Sequence, residues 1–143
     1  MISFFYEDIK PKDIGSKNEL RLWIENTVNE YGMNIGDVNI IFSSDEYLLE
    51  KNISFLNHDY YTDIITFNYN EGEILSGDLF ISYDRVKDNA KKLEVKLIHE
   101  IRRVIIHGIL HLCGLNDKTE AEEKAMRKGE NTALEFWNVS RGT

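Results

Sequence analysis

The run from Leu97 to Leu112 constrains this chain more than any other stretch. It is apolar almost all round, so a helix formed there has to be buried on most of its sides. Inside it His107 and His111 stand four residues apart. On a helix that spacing puts both rings on one face, one turn apart, where two ring nitrogens can share a metal ion. Gly114 follows as a stop signal just past the last turn. Asp117, three residues on, is close enough to fold back as a third ligand. Three protein ligands leave one tetrahedral position for water, the arrangement of a catalytic rather than a structural zinc. The expectation is one Zn²⁺ per chain, with other divalent ions admissible.

Two satisfied core histidines would share the same spacing, so the neighbours matter. Gly108 sits in the helix interior, where glycine costs about 1 kcal/mol relative to alanine. Close approach by another backbone or a ligand would explain it. Buried imidazoles also need polar partners. Cys113 lies within the motif and is a further candidate ligand, although a free cysteine commonly serves as a small buried apolar residue. The reading favours that second role, on the face turned away from the metal.

A length of 143 residues suits one domain, taken as 1–143, with a real core. A single cysteine and the lack of a membrane-length apolar run point to a reducing, soluble compartment. The N-terminus carries no basic leader. The expectation is a cytoplasmic protein with no membrane partner. The net charge of −8 argues against sequence-blind attraction to nucleic acid, but not against a local basic patch.

Along the chain, Ile2 to Tyr6 reads as a strand. Ser16-Lys-Asn-Glu19 is a capping box opening a helix to about Tyr31. Val38 to Phe42 is a second strand, and Ser43-Ser-Asp-Glu46 a second capping box before a helix that ends at the polar turn Asn57-His58-Asp59. Thr62 to Phe67 and Gly77 to Ser82 read as antiparallel strands joined by a loop over 68–76. Ser82 or Asp84 caps a polar helix to about Leu93. The metal helix runs from about Val95 to Cys113, and a capping box at Thr119-Glu-Ala-Glu122 starts a last helix to about Trp137. The order predicts an α+β domain: about four strands in a mixed sheet packed with about five helices, the metal site on a buried one.

These parts resemble the YbeY family of bacterial ribosomal-RNA maturation factors. The family signature H-G-x-L-H-L-x-G-x-D-H stands here as His107, Gly108, Leu110, His111, Leu112, Gly114, Asn116 and Asp117. The family's L-N-x-x-Y-R-x-x-D-x-x-T-D-V-L-S-F stretch is similar to Lys51 through Phe67, and its G-D-I to Gly77-Asp78-Leu79. Glu100 matches a family glutamate, and Glu123, Met126 and Glu130 fit the spacing on the last helix. Two positions depart. Asp117 replaces the third zinc-binding histidine, giving a harder His-His-Asp set. Leu56 stands where the family has an arginine thought to act in RNA cleavage.

The resemblance implies a zinc-dependent, single-strand-specific endoribonuclease in ribosomal RNA maturation and ribosome quality control. Its partners would be ribosomal RNA or the small ribosomal subunit, with a ribosomal protein or GTPase as a further candidate. The expected catalyst is a metal-bound water. Glu100, nearly two turns before His107, reads first as a structural carboxylate bonding a neighbouring loop, and second as an anchor behind the ligands or a proton carrier. Arg102 and Arg103 are candidate phosphate contacts, and Arg85 a further cation. Asp63 and Thr62 read as turn or hydrogen-bonding residues rather than metal ligands, His58 as an exposed loop residue rather than part of the cleft, and Lys91-Lys92 as a solvated face. Tyr60, Tyr61 and Phe67 could stack bases or pack locally. His99 is about 80° round the helix from His107 and is not counted as a ligand. The alternative is a non-catalytic assembly factor with a structural metal. A zinc peptidase fits less well, because Gly108 occupies the place of the glutamate in H-E-x-x-H.

Overall fold

The computed structural model describes residues 1–140, with side chains through residue 137, so residues 141–143 of the expected domain lie outside the described residues. The elements in order are β1 (Ile2–Tyr6), α1 (Lys17–Glu30), β2 (Asn34–Ser43), α2 (Asp45–Leu56), β3 (Ile64–Asn68), β4 (Ile74–Ser82), α3 (Tyr83–Leu93), α4 (Leu97–Leu112) and α5 (Glu120–Ser140). One four-stranded sheet runs in the order β1-β2-β4-β3. β1 and β4 each pair parallel with β2, and β3 pairs antiparallel with β4, so the sheet is mixed as expected.

Alternation along the strands decides what each face carries. Val38, Ile40 and Phe42 of β2 share one face with Leu75, Leu79 and Ile81 of β4, and join Ile24, Val28, Ile101, Ile105 and Ile109 in the main core. Ile41 and Ile65 are buried on the other face, the side of α2 with its buried Leu48. α4 crosses β3 and β4 through two glycine contacts. A Cβ on Gly108 would lie 2.7 Å from Ile64 and Leu79 side-chain carbons, and one on Gly77 would lie 3.0 Å from Leu112. Gly108 is therefore explained by side chains of the sheet, not by a second backbone or a ligand.

Most capping signals act as read. The Ser16 hydroxyl accepts from the Glu19 N–H. At Thr119 the box is reciprocal: Glu122 N–H donates to Thr119 Oγ1 (3.1 Å) and Thr119 N–H to Glu122 Oε1 (3.0 Å). Ser82, rather than Asp84, caps α3. The second box is displaced by one residue. Ser44 is the cap and accepts from the Tyr47 N–H, while Ser43 is still the buried end of β2. β2 starts at Asn34, earlier than Val38, because a register shift between Ile35 and Val38 absorbs Gly36 and Asp37, which locally carry turn chemistry. β4 starts at Ile74, after a turn in which Gly72 takes φ +58°. α4 begins at Leu97 rather than Val95 because α3 ends there. Glu94 adopts φ +56°, and the Val95 N–H closes back on the Ala90 carbonyl. Among the described residues no helix is long and apolar enough to cross a membrane.

Candidate metal centre

The end of α4 builds most of the site from local chemistry. Gly114, at φ +105°, donates to the His111 carbonyl, and the Leu115 N–H donates to the Leu110 carbonyl, both at 3.0 Å. This pair of bonds is a Schellman stop, which needs a residue free to take positive φ. Asn70, from the β3–β4 loop, donates to the Leu112 carbonyl (2.8 Å) and steadies the same end. The reversed chain turns the Leu115 carbonyl toward the His111 ring and returns Asp117 to the histidines.

His111 Nδ1–H donates to the Leu115 carbonyl at 2.9 Å. A carbonyl can only accept, so in the neutral ring Nε2 carries a bare lone pair. His107 Nδ1–H donates in the same way to Glu130 Oε2 at 2.7 Å. The two Nε2 atoms face each other at 3.1 Å, and Asp117 Oδ2 lies 3.2 Å from one and 3.3 Å from the other. Three electron-pair donors thus crowd one point with no proton required between them, an arrangement that a cation stabilises. A tetrahedral ion with bonds of about 2.0–2.1 Å separates neighbouring donors by about 3.3–3.4 Å, which this triangle fits. His107, His111 and Asp117 are the residues that could hold a metal ion among those described.

Glu130, on α5, is the main addition that packing makes to the site. It is buried, its side chain 5% exposed, with Oε1 3.1 Å from Arg103 and 3.7 Å from Arg127. Burial pushes its carboxyl up, but the bonds from His107 and Arg103 outweigh this and hold it below its ordinary value. Burial likewise pulls His107 down, and Glu130 with the charges of Asp117 and Asp63 outweighs it, so the ring is held above its ordinary value. α5 is pinned in turn by Trp23, whose indole N–H donates to the Ala133 carbonyl at 2.7 Å and whose ring meets Trp137 edge-on. Glu130→Ala is expected to weaken zinc binding about 10- to 100-fold by freeing the His107 ring, read by competition with a chromophoric chelator. Unchanged affinity would show that the ring is held without it.

A cleft of about 440 Å³ opens beside His107 and Asp117, lined also by Asp63, Lys92, Glu100 and Arg103 among others. Glu100 is 4% exposed, and burial raises its carboxyl against the pull of Arg103. Its Oε1 has no hydrogen-bond partner among the described residues, and Arg103 approaches it at 3.7 Å. Asp63, read from sequence as a turn residue, also faces this cleft, and burial raises it against the charge of His107. Thr62 bonds locally, its hydroxyl donating to the Ile64 carbonyl.

The two candidate arginines part company. Arg103 lines the cleft and also a neighbouring groove that it shares with Arg102 and His99, whereas Arg102 lies over the Trp137 ring and does not line the cleft. Arg85 pairs with Asp45 at 2.6 Å, and Leu56 is the last residue of α2; neither lines the cleft. His58 stacks on Tyr60, Tyr61 donates to Glu46, and Phe67 packs against Phe55 and Phe80. Cys113 caps α4 and packs against the core, burial pushes its thiol up to about 11, and its sulfur is not grouped with the donors of His107, His111 and Asp117.

A family model described as Endoribonuclease YbeY matches residues 5–138, a longer span than the motifs between Lys51 and Glu130. Endoribonuclease YbeY of Phocaeicola vulgatus is 52% identical over 134 residues, covering 94% of this chain and 96% of its own. That of Bacteroides thetaiotaomicron is 50% identical over 133 residues, covering 93% and 96%. The solution structure of a Thermotoga maritima protein matches with a TM-score of 0.66 at 26% identity, covering 99% of this chain and 93% of that one.

Proposed function

The chain belongs to the YbeY family of endoribonucleases, and on that premise we propose that it is a zinc-dependent, single-strand-specific endoribonuclease acting in ribosomal RNA maturation and ribosome quality control. The observation that carries the reading is the triangle of His107 Nε2, His111 Nε2 and Asp117 Oδ2, with edges of 3.1–3.3 Å and both Nδ1 atoms already committed elsewhere. Zinc held there would supply a Lewis acid for a phosphoryl oxygen and a bound water whose pKa is lowered toward ~7.

The protein's own groups supply orientation and proton handling. Glu130 and the Leu115 carbonyl fix the two rings. Arg103 holds Glu130 in place. Glu100, buried at the cleft wall with its carboxyl raised, would hold a proton near the reacting phosphate. Peptide hydrolysis is the poorer fit, because the position after His107 is a glycine pressed against Ile64 and Leu79, with no room for a general base. The proposed partners are ribosomal RNA of the small subunit and a ribosomal protein or GTPase, met in the cytoplasm.

A second reading, an assembly factor with a structural metal, draws on Leu56 and on the carboxylates that line the cleft. Chelation separates the two. Zinc-replete protein is expected to cleave a single-stranded RNA oligonucleotide, to stop on chelation, and to recover when zinc is returned. The structural reading expects a lowered melting temperature on chelation with no turnover at any zinc load. Absence of turnover in fully loaded protein would overturn the endoribonuclease reading.

A further inference from the structure

We propose that Arg127 is the side chain that binds the RNA phosphate beside the metal centre, an assignment that rests on the endoribonuclease reading and adds a residue to it. The argument starts from two hollows rather than one. The cleft of about 440 Å³ carries Lys92 and Arg103 on its walls. A second hollow, of about 500 Å³, runs along α5 and carries Lys124. The two adjoin at His107, Asp117, Arg127 and Glu130, which line both. A single strand passing the site fills both hollows, with one phosphate at the shared wall where the metal donors sit. Among the described residues Arg127 is the cationic side chain that lines both.

The other cations are less suited to that place. Arg103 is 28% exposed and held between two buried carboxylates, Nη1 3.1 Å from Glu130 and Nε 3.7 Å from Glu100, so its charge already serves the site's own acids. Lys92 and Lys124 each line one hollow only, where they can meet the phosphates on either side. Arg127 is 63% exposed, and its one ion pair among the described residues is a 3.7 Å contact with Glu130 Oε1. That contact anchors the guanidinium next to the acceptor of His107 while leaving most of its five N–H donors for a ligand. A planar fork suits two phosphate oxygens at once, and a lysine ammonium supplies the charge without the fork.

The test compares Arg127→Gln, Arg127→Lys and Lys128→Gln with the wild type. Lys128 is an exposed neighbour on α5 that lines neither hollow, so it controls for net charge. The probe is a short fluorescent single-stranded RNA, titrated with chelator at several salt concentrations and then assayed for cleavage with zinc. Arg127→Gln is expected to bind about 10-fold more weakly, with the slope of log K against log salt reduced by about one. Its kcat/KM should fall by at least that factor, and its zinc content should not change. Arg127→Lys should recover the salt slope and part of the rate, and Lys128→Gln should match the wild type. Binding by Arg127→Gln equal to that of Lys128→Gln overturns the assignment, whether or not the wild type cleaves. Weakened binding in a protein that never cleaves upholds Arg127 and overturns the nuclease reading. A wild type that neither binds nor cleaves the RNA overturns both.

Discussion

Alanine at both His107 and His111 is expected to leave a folded protein that keeps no zinc through dialysis and cleaves single-stranded RNA at least ~1000-fold more slowly, about 4 kcal/mol of lost transition-state stabilisation. The size follows from the geometry. Asp117 alone cannot replace two nitrogens that meet at 3.1 Å, and an ion with one protein ligand exchanges freely with solvent. The fold should survive because both rings lie at the cleft wall, their side chains 23% and 24% exposed, while the buried faces of α4 are carried by Ile101, Ile105, Ile109 and Leu112. Circular dichroism, metal analysis and RNA cleavage on one preparation check the three parts together. Cleavage at the wild-type rate would place the activity outside this centre or in a contaminating nuclease.

Valine at Gly108 should have the largest effect on stability, a loss of about 3 kcal/mol or more in denaturant unfolding. A Cβ there would lie 2.7 Å from both Ile64 Cδ1 and Leu79 Cδ2 and 2.9 Å from Leu79 Cγ, and Leu79 is fully buried. Overpacking of a filled core costs about 1–3 kcal/mol, and valine adds a branch that crowds the preceding turn. Alanine at the same place makes the Cβ clash but gains about 1 kcal/mol of helix propensity, so it should lose less. Pairing Gly108→Ala with Ile64→Val should recover part of the loss, a coupling that distant sites do not show. A Gly108→Val protein as stable as the wild type would mean that α4 can lift from β3 and β4 without cost. Since the same helix carries both histidines, a shift too small to unfold the protein should still appear as weaker zinc binding.

How much of this could be read along the chain depends on the range of the interactions. The helical face of His107 and His111, the stop at Gly114, the return of Asp117 and the box at Thr119 are set within a few residues, by the 3.6-residue period and by cap chemistry. Each stands in the structure as read. The second box shows the limit of local reading. Ser43 and Ser44 offer the same hydroxyl, and pairing of β2 with β4, where Ser43 stands opposite Ser82, keeps Ser43 in the strand and leaves the cap to Ser44. The early starts of β2 and β4 have the same origin, since Asn34 and Ile74 are strand residues because they pair with each other.

The sequence by itself therefore determined the donor set and the elements that present it, because both follow from short-range geometry. Only the tertiary structure decided what surrounds the donors. Glu130 reaches His107 from 23 positions away because Trp23 and Trp137 dock α5 against α1. Glu100 becomes a buried and Asp63 a half-buried cleft carboxylate, and Arg103 reaches that cleft while Arg102, adjacent in the chain, does not. Such placements depend on which helix faces meet across the core, and no periodicity within one segment carries that information.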